Sequence, residues 1–294
     1  MSLSISLIIT LAVLGMPLFC SLGGIGLAGL HHGETPLAGA LADVYALAGG
    51  KAVALSTIPL FTFAGYLMAR AKTAERLVRM AKALLGWIPG GLALMTVWTC
   101  AFFTIFTGAS GITIVALGGL LLPELERSNY SRRFAIEVVT GSGSVGLLFP
   151  PALPLIVYGI VFGLNAGQAN IEFSIERFFL AGIVPGLVLI AILSVYCVWE
   201  GWRSKVPTTR LDIREFFRAA WEAKWEVPIP FLILLLLLRG WAVLPELAAL
   251  TGLYVFIIEV FVYKDIDVRR DLFVVTRESM ELVGAIMMKI FAAT

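Results

Sequence analysis

The chain has 294 residues, 59% hydrophobic and only 14% charged, with a formal net charge of +2. A soluble domain carries about a quarter charged residues, so this composition specifies an integral membrane protein and argues against any nucleic-acid partner. Cys20, Cys100 and Cys197 lie in apolar runs without CxxC spacing, so they read as small buried hydrophobes, not as metal ligands or a disulfide framework.

The first apolar run, Leu3–Leu30, exceeds the ~20 residues that a span needs. It has neither a basic leading region nor a small-residue cleavage site, so it reads as a retained, tilted span bent near Gly15–Pro17. His31 and His32 follow it and read as a wet surface pair. Gly33–Lys51 carries a short amphipathic pattern around Leu41, Val44, Tyr45 and Leu47, and a second span is expected over Ala52–Ala69. Arg70, Lys72, Arg76, Arg79 and Lys82 then interleave with Leu77, Val78, Met80, Leu84 and Leu85. That is the pattern of a basic amphipathic helix lying in the interface plane, on the cytoplasmic side by the positive-inside rule.

The next apolar region, Gly90–Leu122, is flanked by this basic helix and by Arg127, Arg132 and Arg133. A stretch that starts and ends on one face must turn back within it. The run Thr107-Gly108-Ala109-Ser110-Gly111 offers the turn, and only about 11 residues separate Gly111 from Pro123, too few for a crossing. The expectation is a re-entrant hairpin with its tip at Gly108–Gly111.

Thr140–Pro154 reads TGSGSVGLLFPPALP, between an apolar stretch starting at Phe134 and another over Leu155–Leu164. Pro150, Pro151 and Pro154 remove helix donors and push the residues before them out of the helical region. With Gly141, Gly143 and Gly146 they predict non-helical backbone from Thr140 onward, at membrane depth. Such backbone is tolerated only where protein buries it or it lines a water-filled cavity, and broken helices at the midplane are how secondary transporters build ion and solute sites. Ser142 and Ser144 add oxygens of the kind that hard cations prefer. Glu137, a turn earlier, is either functional or the i+4 partner of Arg133.

Beyond Asn165–Glu176, read as an external loop, Phe178–Trp199 returns. A basic segment from Arg203 to Lys224 contains an interfacial helix, Asp212–Trp225, anchored by Trp221 and Trp225. Ile229–Leu238 and Leu247–Tyr263 form a further pair of spans, with Arg239 and Glu259 snorkelling at segment ends. Lys264, Arg269 and Arg270 return to the cytoplasmic side, and parity puts the N-terminus there too. After Asp271–Glu281 a last apolar run begins at Leu282 and stops at Thr294, as in a truncated chain.

Read together, "IPLFTFAGYLM" (Ile58–Met68), "GGLALMTV" (Gly90–Val97), "FTGASGITIVALGGLLLPEL" (Phe106–Leu125), "GSGSVGLLFPPALPLIVYG" (Gly141–Gly159) and "FFLAGIVPGLVL" (Phe178–Leu189) resemble the large membrane subunit of tripartite ATP-independent periplasmic (TRAP) transporters. The resemblance implies an all-α integral membrane protein of the elevator type with two inverted repeats, each holding a re-entrant hairpin and an unwound helix. Only the first repeat is complete here. The expected division is 1–86 for N-terminal spans and interfacial helix, 87–165 for a transport unit (hairpin 90–122, broken helix 133–164), and 166–294 for scaffold spans and the start of a second repeat. Sodium is expected as the coupling ion, with no other cofactor, where hairpin tip meets broken helix. Ser110, Gly111, Thr113, Thr140, Gly141, Ser142, Gly143 and Ser144 would line that site; Ser110, Ser142 and Ser144 would be side-chain ligands, while Gly108, Gly146, Pro150, Pro151 and Pro154 would hold the break open. Ile112 follows Ser110-Gly111 where family members often carry another serine, Ala116 stands at an Asp position, and Val243–Glu246 replaces a Thr-Pro-Thr-Glu, so backbone carbonyls would supply more of the ligands.

The implied role is binding-protein-dependent, non-enzymatic import of organic acids of the dicarboxylate type across a bacterial inner membrane. Its partners would be a small four-span subunit, a periplasmic binding protein, the organic acid and the lipid bilayer. Alternatives are an ion-coupled permease of another inverted-hairpin family that needs no binding protein, or a truncated, non-transporting remnant. An intramembrane enzyme finds no HExxH, GxSxG or paired aspartates in facing spans.

Overall fold

A computed structural model describes residues 2–32, 56–168, 174–206, 208 and 212–293. Every element among them is helical, as expected where lipid offers the backbone no hydrogen-bond partner. In chain order they are α1 (Ser2–Val13), α2 (Leu18–His32), α3 (Thr57–Arg70), α4 (Thr73–Leu85), α5 (Gly91–Thr107), α6 (Ser110–Arg127), α7 (Arg132–Val145), α8 (Leu153–Gln168), α9 (Ile175–Arg203), α10 (Ile213–Glu222), α11 (Pro228–Leu238), α12 (Leu244–Ile257) and α13 (Asp271–Ala293). A 3-10 turn covers Gly146–Leu148 and a π turn covers Ile258–Val262. Among the described residues, three stretches are long and apolar enough to cross a membrane: Arg132–Gly159, counted through its interruption, Arg177–Arg203 and Leu244–Val262. The amphipathic pattern over Gly33–Lys51 and the start of the second predicted span lie outside the described residues, as do positions 169–173 of the predicted loop at 165–176, whose first residues extend α8 to Gln168.

Two apolar cores hold the helices together. One gathers Ile58 and Leu67 of α3, Ile156 of α8, Phe179 of α9, Ile233 of α11 and Leu247 of α12. The other gathers Leu77 of α4, Phe103 of α5, Leu117 and Leu121 of α6, and Val138 of α7. Helix α9 ties the two, placing Phe179 in the first and Ile190 and Cys197 in the second. Its opposite face leaves Val184, Val188, Ile192 and Val195 exposed, apolar side chains suited to lipid.

The basic segments all meet at one end of the bundle. Lys82 of α4 pairs with Glu124 at the end of α6, Arg79 pairs with Glu215 and Glu222 of α10 at 2.7 Å, and Arg70 pairs with Asp271 of α13 at 3.3 Å. The Lys82–Glu124 pair ties the entry of the α5–α6 hairpin to its exit.

Several sequence expectations need correction. The first apolar run bends where expected, near Gly15–Pro17, but is not one span: at Gly15, whose φ is +102°, it divides into α1 and α2, which pack against each other. Pro123 does not end the second hairpin arm, which continues to Arg127 and is 18 residues long. The acceptor that Pro123 orphans belongs to Gly119 at i−4, which is exposed, so the loss is tolerated. The length argument against a crossing therefore does not hold for α6. Non-helical backbone does not begin at Thr140: α7 stays helical to Val145 and the interruption is confined to 146–152, because Pro150 and Pro151 break a helix where scattered glycines only weaken it; Pro154 instead sits in the first turn of α8, where a proline is tolerated. On α4, Arg76, Arg79 and Lys82 are all paired with protein carboxylates, partners that the sequence pattern did not name. Glu259 does not snorkel. It is 1% exposed and paired with Arg76.

Candidate functional site

The tip of the α5–α6 hairpin and the interruption between α7 and α8 lie against each other. Gly108 closes α5 in the left-handed region, φ +62°, where a side chain is strained. A methyl built on it would come within 2.7 Å of Leu153 Cβ and 3.1 Å of Leu153 N, the first residue of α8. At the other side of the break, a methyl on Gly146 would come within 2.2 Å of the Ala101 carbonyl of α5. Two glycines therefore let the two irregular segments close on one another. Four helix ends converge: the C-termini of α5 and α7, and the N-termini of α6 and α8. Helix C-termini carry orphan carbonyls and partial negative charge; N-termini carry orphan donors and partial positive charge.

Threonine hydroxyls join the three helices at this point. Thr104 Oγ1 of α5 lies 2.7 Å from Thr113 Oγ1 of α6, 2.9 Å from the carbonyl of Gly143 in α7, and 2.8 Å from the carbonyl of Cys100 one turn back. Thr107 Oγ1 lies 3.1 Å from Thr113 Oγ1 and 3.4 Å from the Ala109 carbonyl. All three side chains are fully buried. Gly143 is among the last four carbonyls of α7, where intrahelical partners run out, and Thr104 takes up that acceptor. The result is a buried cluster of hydroxyl and carbonyl oxygens, the ligand type that hard cations take. No group of three or more His, Cys, Asp or Glu that could hold a metal occurs among the described residues.

The residues singled out from sequence separate into two sets. Thr113 and the Gly143 carbonyl belong to the cluster, and Ser110 is near, its carbonyl 3.7 Å from a methyl built on Gly143. Gly111 is exposed and lines a cleft of about 400 Å³ between α3, α6 and α13, together with Tyr66, Arg70, Ala116 and Glu278. Thr140, Ser142 and Ser144 instead direct their hydroxyls at their own helix: Thr140 donates to Ile136 O at 2.7 Å, Ser142 to Val138 O at 2.5 Å, and Ser144 to Thr140 O at 3.4 Å. Ser142 is buried, whereas Thr140, Gly141 and Ser144 are exposed on the other face of α7. Glu137 is exposed and accepts from Arg133 Nε at 2.8 Å; its placement is that of a helix-face ion pair. Thr104 and Thr107 were missed. Their i, i+3 spacing in an otherwise apolar helix was the available signal.

The model of the family described as "Tripartite ATP-independent periplasmic transporter, DctM component" matches residues 5–294. The chain belongs to that family. Among relatives, it is 35% identical over 217 residues to the isethionate TRAP transporter permease protein DctMQ of Oleidesulfovibrio alaskensis, covering 72% of this chain and 32% of the relative. It is 33% identical over 275 residues to the C4-dicarboxylate TRAP transporter large permease protein DctM of Rhodobacter capsulatus, covering 90% of this chain and 61% of the relative. To the ectoine TRAP transporter large permease protein TeaC of Halomonas elongata it is 29% identical over 273 residues, 91% of this chain and 61% of the relative. The chain thus spans about a third to three fifths of the length of these relatives. Within this family member, the convergence of helix ends is the feature among the described residues that brings the predicted hairpin tip and the predicted helix break together.

Proposed function

We propose that this chain forms the first-repeat portion of a large TRAP permease subunit in a bacterial inner membrane, importing a small organic acid of the dicarboxylate type by sodium symport. It would work with a small four-span membrane subunit and a periplasmic binding protein. The α5–α6 hairpin enters and leaves from the cytoplasmic side and, with the broken helix α7–α8, forms the moving transport unit of an elevator; α9 onward contributes scaffold. The observation that carries the reading is the meeting of the Gly108 tip with Leu153 and the bond between Thr104 and the Gly143 carbonyl. Carbonyls at the C-termini of α5 and α7 suit a cation, and the N-termini of α6 and α8 suit an anionic carboxylate. Ser110, Thr113 and the carbonyl of Gly143 are the nearest candidates for the sodium ligands; Ser142 and Ser144, whose hydroxyls are turned onto their own helix, are not among them.

The test is uptake into proteoliposomes by a full-length version assembled with its small subunit. Uptake is expected to require both sodium and the binding protein, and Ser110→Ala or Thr113→Val should raise the sodium concentration for half-maximal uptake several-fold. Equal uptake with potassium in place of sodium would overturn the coupling. Equal uptake without a binding protein would instead favour a permease of another inverted-hairpin design.

A further inference from the structure

One buried ionic cluster takes no part in the hairpin tip or the helix break. Arg76 of α4 lies among carboxylates from three other segments: Glu226 ahead of α11, Glu259 in the π turn, and Asp265 beyond it. The side chains of Glu226 and Glu259 are each 1% exposed, those of Arg76 and Asp265 12% and 11%. Arg76 also stacks on the Tyr263 ring, 3.9 Å from its centroid. With every carboxyl ionised the cluster would hold one cation against three anions, and an uncompensated buried charge is strongly destabilising.

Three nearby cations are engaged elsewhere. Arg79 is committed to Glu215 and Glu222, Arg70 to Asp271, and Lys224 sits over the Trp221 ring at 3.6 Å. Tyr254 donates to Trp225 O at 2.9 Å and Tyr263 donates to Glu222 O, so neither phenol serves the carboxylates. Asp265 accepts from Arg76 Nη1 at 2.5 Å and from the Lys72 backbone N–H at 3.2 Å. The acidic side chains form no arrangement suited to a metal among the described residues, since Arg76 and Thr73 lie between them.

Thr73 decides where the balance is made up. Its Oγ1 lies 3.0 Å from Glu226 Oε1 and 3.0 Å from Glu259 Oε1. A hydroxyl has one hydrogen and can donate to only one of them; Arg76 Nη2 lies a longer 3.4 Å from the Thr73 oxygen, and the second 3.0 Å contact is a hydrogen bond only if that carboxyl is protonated and donates. Glu226 Oε1 accepts from both Arg76 Nε, at 2.8 Å, and Nη2, the surroundings of an ionised carboxylate. Glu259 has the looser Arg76 contacts, 3.1 and 3.4 Å from Nη2. Glu226 Oε2 is buried with no hydrogen-bond partner among the described residues.

We propose that Glu259 carries a proton at neutral pH and donates it to Thr73, which donates in turn to Glu226. This is a proton-binding site at the joint between α4 and the α11–α12 pair. Loss of the proton puts a second carboxylate against Thr73 and loosens that joint, so α4, the helix leading into the hairpin, is held in place by a titratable contact.

The test is thermal unfolding of the purified full chain in detergent from about pH 5 to about pH 9. A carboxyl protonated in the folded state ionises near pH ~4.3 once unfolded. The folded state then binds more protons, and stability falls as pH rises until the folded carboxyl itself ionises. Glu259→Gln keeps a neutral donor and removes this dependence, so its melting temperature should gain on the wild type by several degrees as pH rises. Glu226→Gln should behave likewise, because Glu259 then ionises as the partner of Arg76; it provides the same readout if the first variant does not fold. A melting-temperature gap that stays constant across the range in both variants would overturn the proposal. So would the absence, from the wild-type infrared spectrum at neutral pH, of a protonated-carboxyl band that Glu259→Gln removes.

Discussion

Thr104 on the first arm of the hairpin reaches the carbonyl of Gly143 in the last turn of α7, 2.9 Å away, and holds Thr113 of the second arm at 2.7 Å. One hydroxyl thereby links three helices at the point where two of them end. Thr104→Val keeps the shape and removes the hydroxyl, leaving buried oxygens without a partner. The expected cost is about 1–3 kcal/mol. Thr107→Val should cost less, since its contacts are the longer 3.1 and 3.4 Å. Unfolding of both variants in detergent checks the order.

Gly146 and Gly141 predict opposite outcomes for the same substitution. A methyl at Gly146 meets the Ala101 carbonyl at 2.2 Å, so Gly146→Ala must separate α7 from α5 and should lose about 1–3 kcal/mol or more. Gly141 is helical and exposed with nothing within 4 Å of a built methyl. Gly141→Ala should gain about 0.4–1 kcal/mol by restricting the unfolded chain. Melting temperatures of the two variants should fall on either side of the wild type.

Arg76 and Arg79 are one turn apart on α4 and differ in burial. Arg76→Ala strands buried carboxylates and should cost about 3–5 kcal/mol. The Arg79 side chain is 43% exposed, and Arg79→Ala should cost about 1 kcal/mol or less. Comparable losses in a denaturant titration would show that the Arg76 cluster is solvated.

Glu124 is held below the usual carboxylate range by its hydrogen bond from Lys82, then by the charges of Lys82 and Arg127. A carboxyl lowered on folding contributes stability above its unfolded value near ~4.3, and that contribution disappears as pH falls through the folded value. Both partners are partly exposed, so the term is about 1 kcal/mol or less. Lys82→Met should therefore be less stable than the wild type at neutral pH and indistinguishable from it in acid, as measured by melting temperature against pH.

Local chemistry made much of this protein legible in its sequence. Charged residues at 14% in an apolar chain specify a membrane protein, and the Thr107–Gly111 run marks a helix end because a left-handed Gly108 terminates α5. Pro150, Pro151 and Pro154 mark an interruption because proline cannot donate to a helix. The ordered motifs around these points suffice to recognise the family. Each of these signals is carried by residues adjacent in the chain.

Only the tertiary structure decided how the pieces meet. Helical geometry survives through Thr140–Val145 because α5 and α6 pack on that turn, and Ser142 and Ser144 spend their hydroxyls within it. Thr104 finds Gly143 across 39 residues and Arg76 finds Glu259 across 183, separations over which no periodicity or spacing rule operates. Such partnerships are set by which helix faces close on one another and what remains unpaired once water is excluded. A burial of that kind is a property of the assembled bundle, and no stretch of the chain carries it alone.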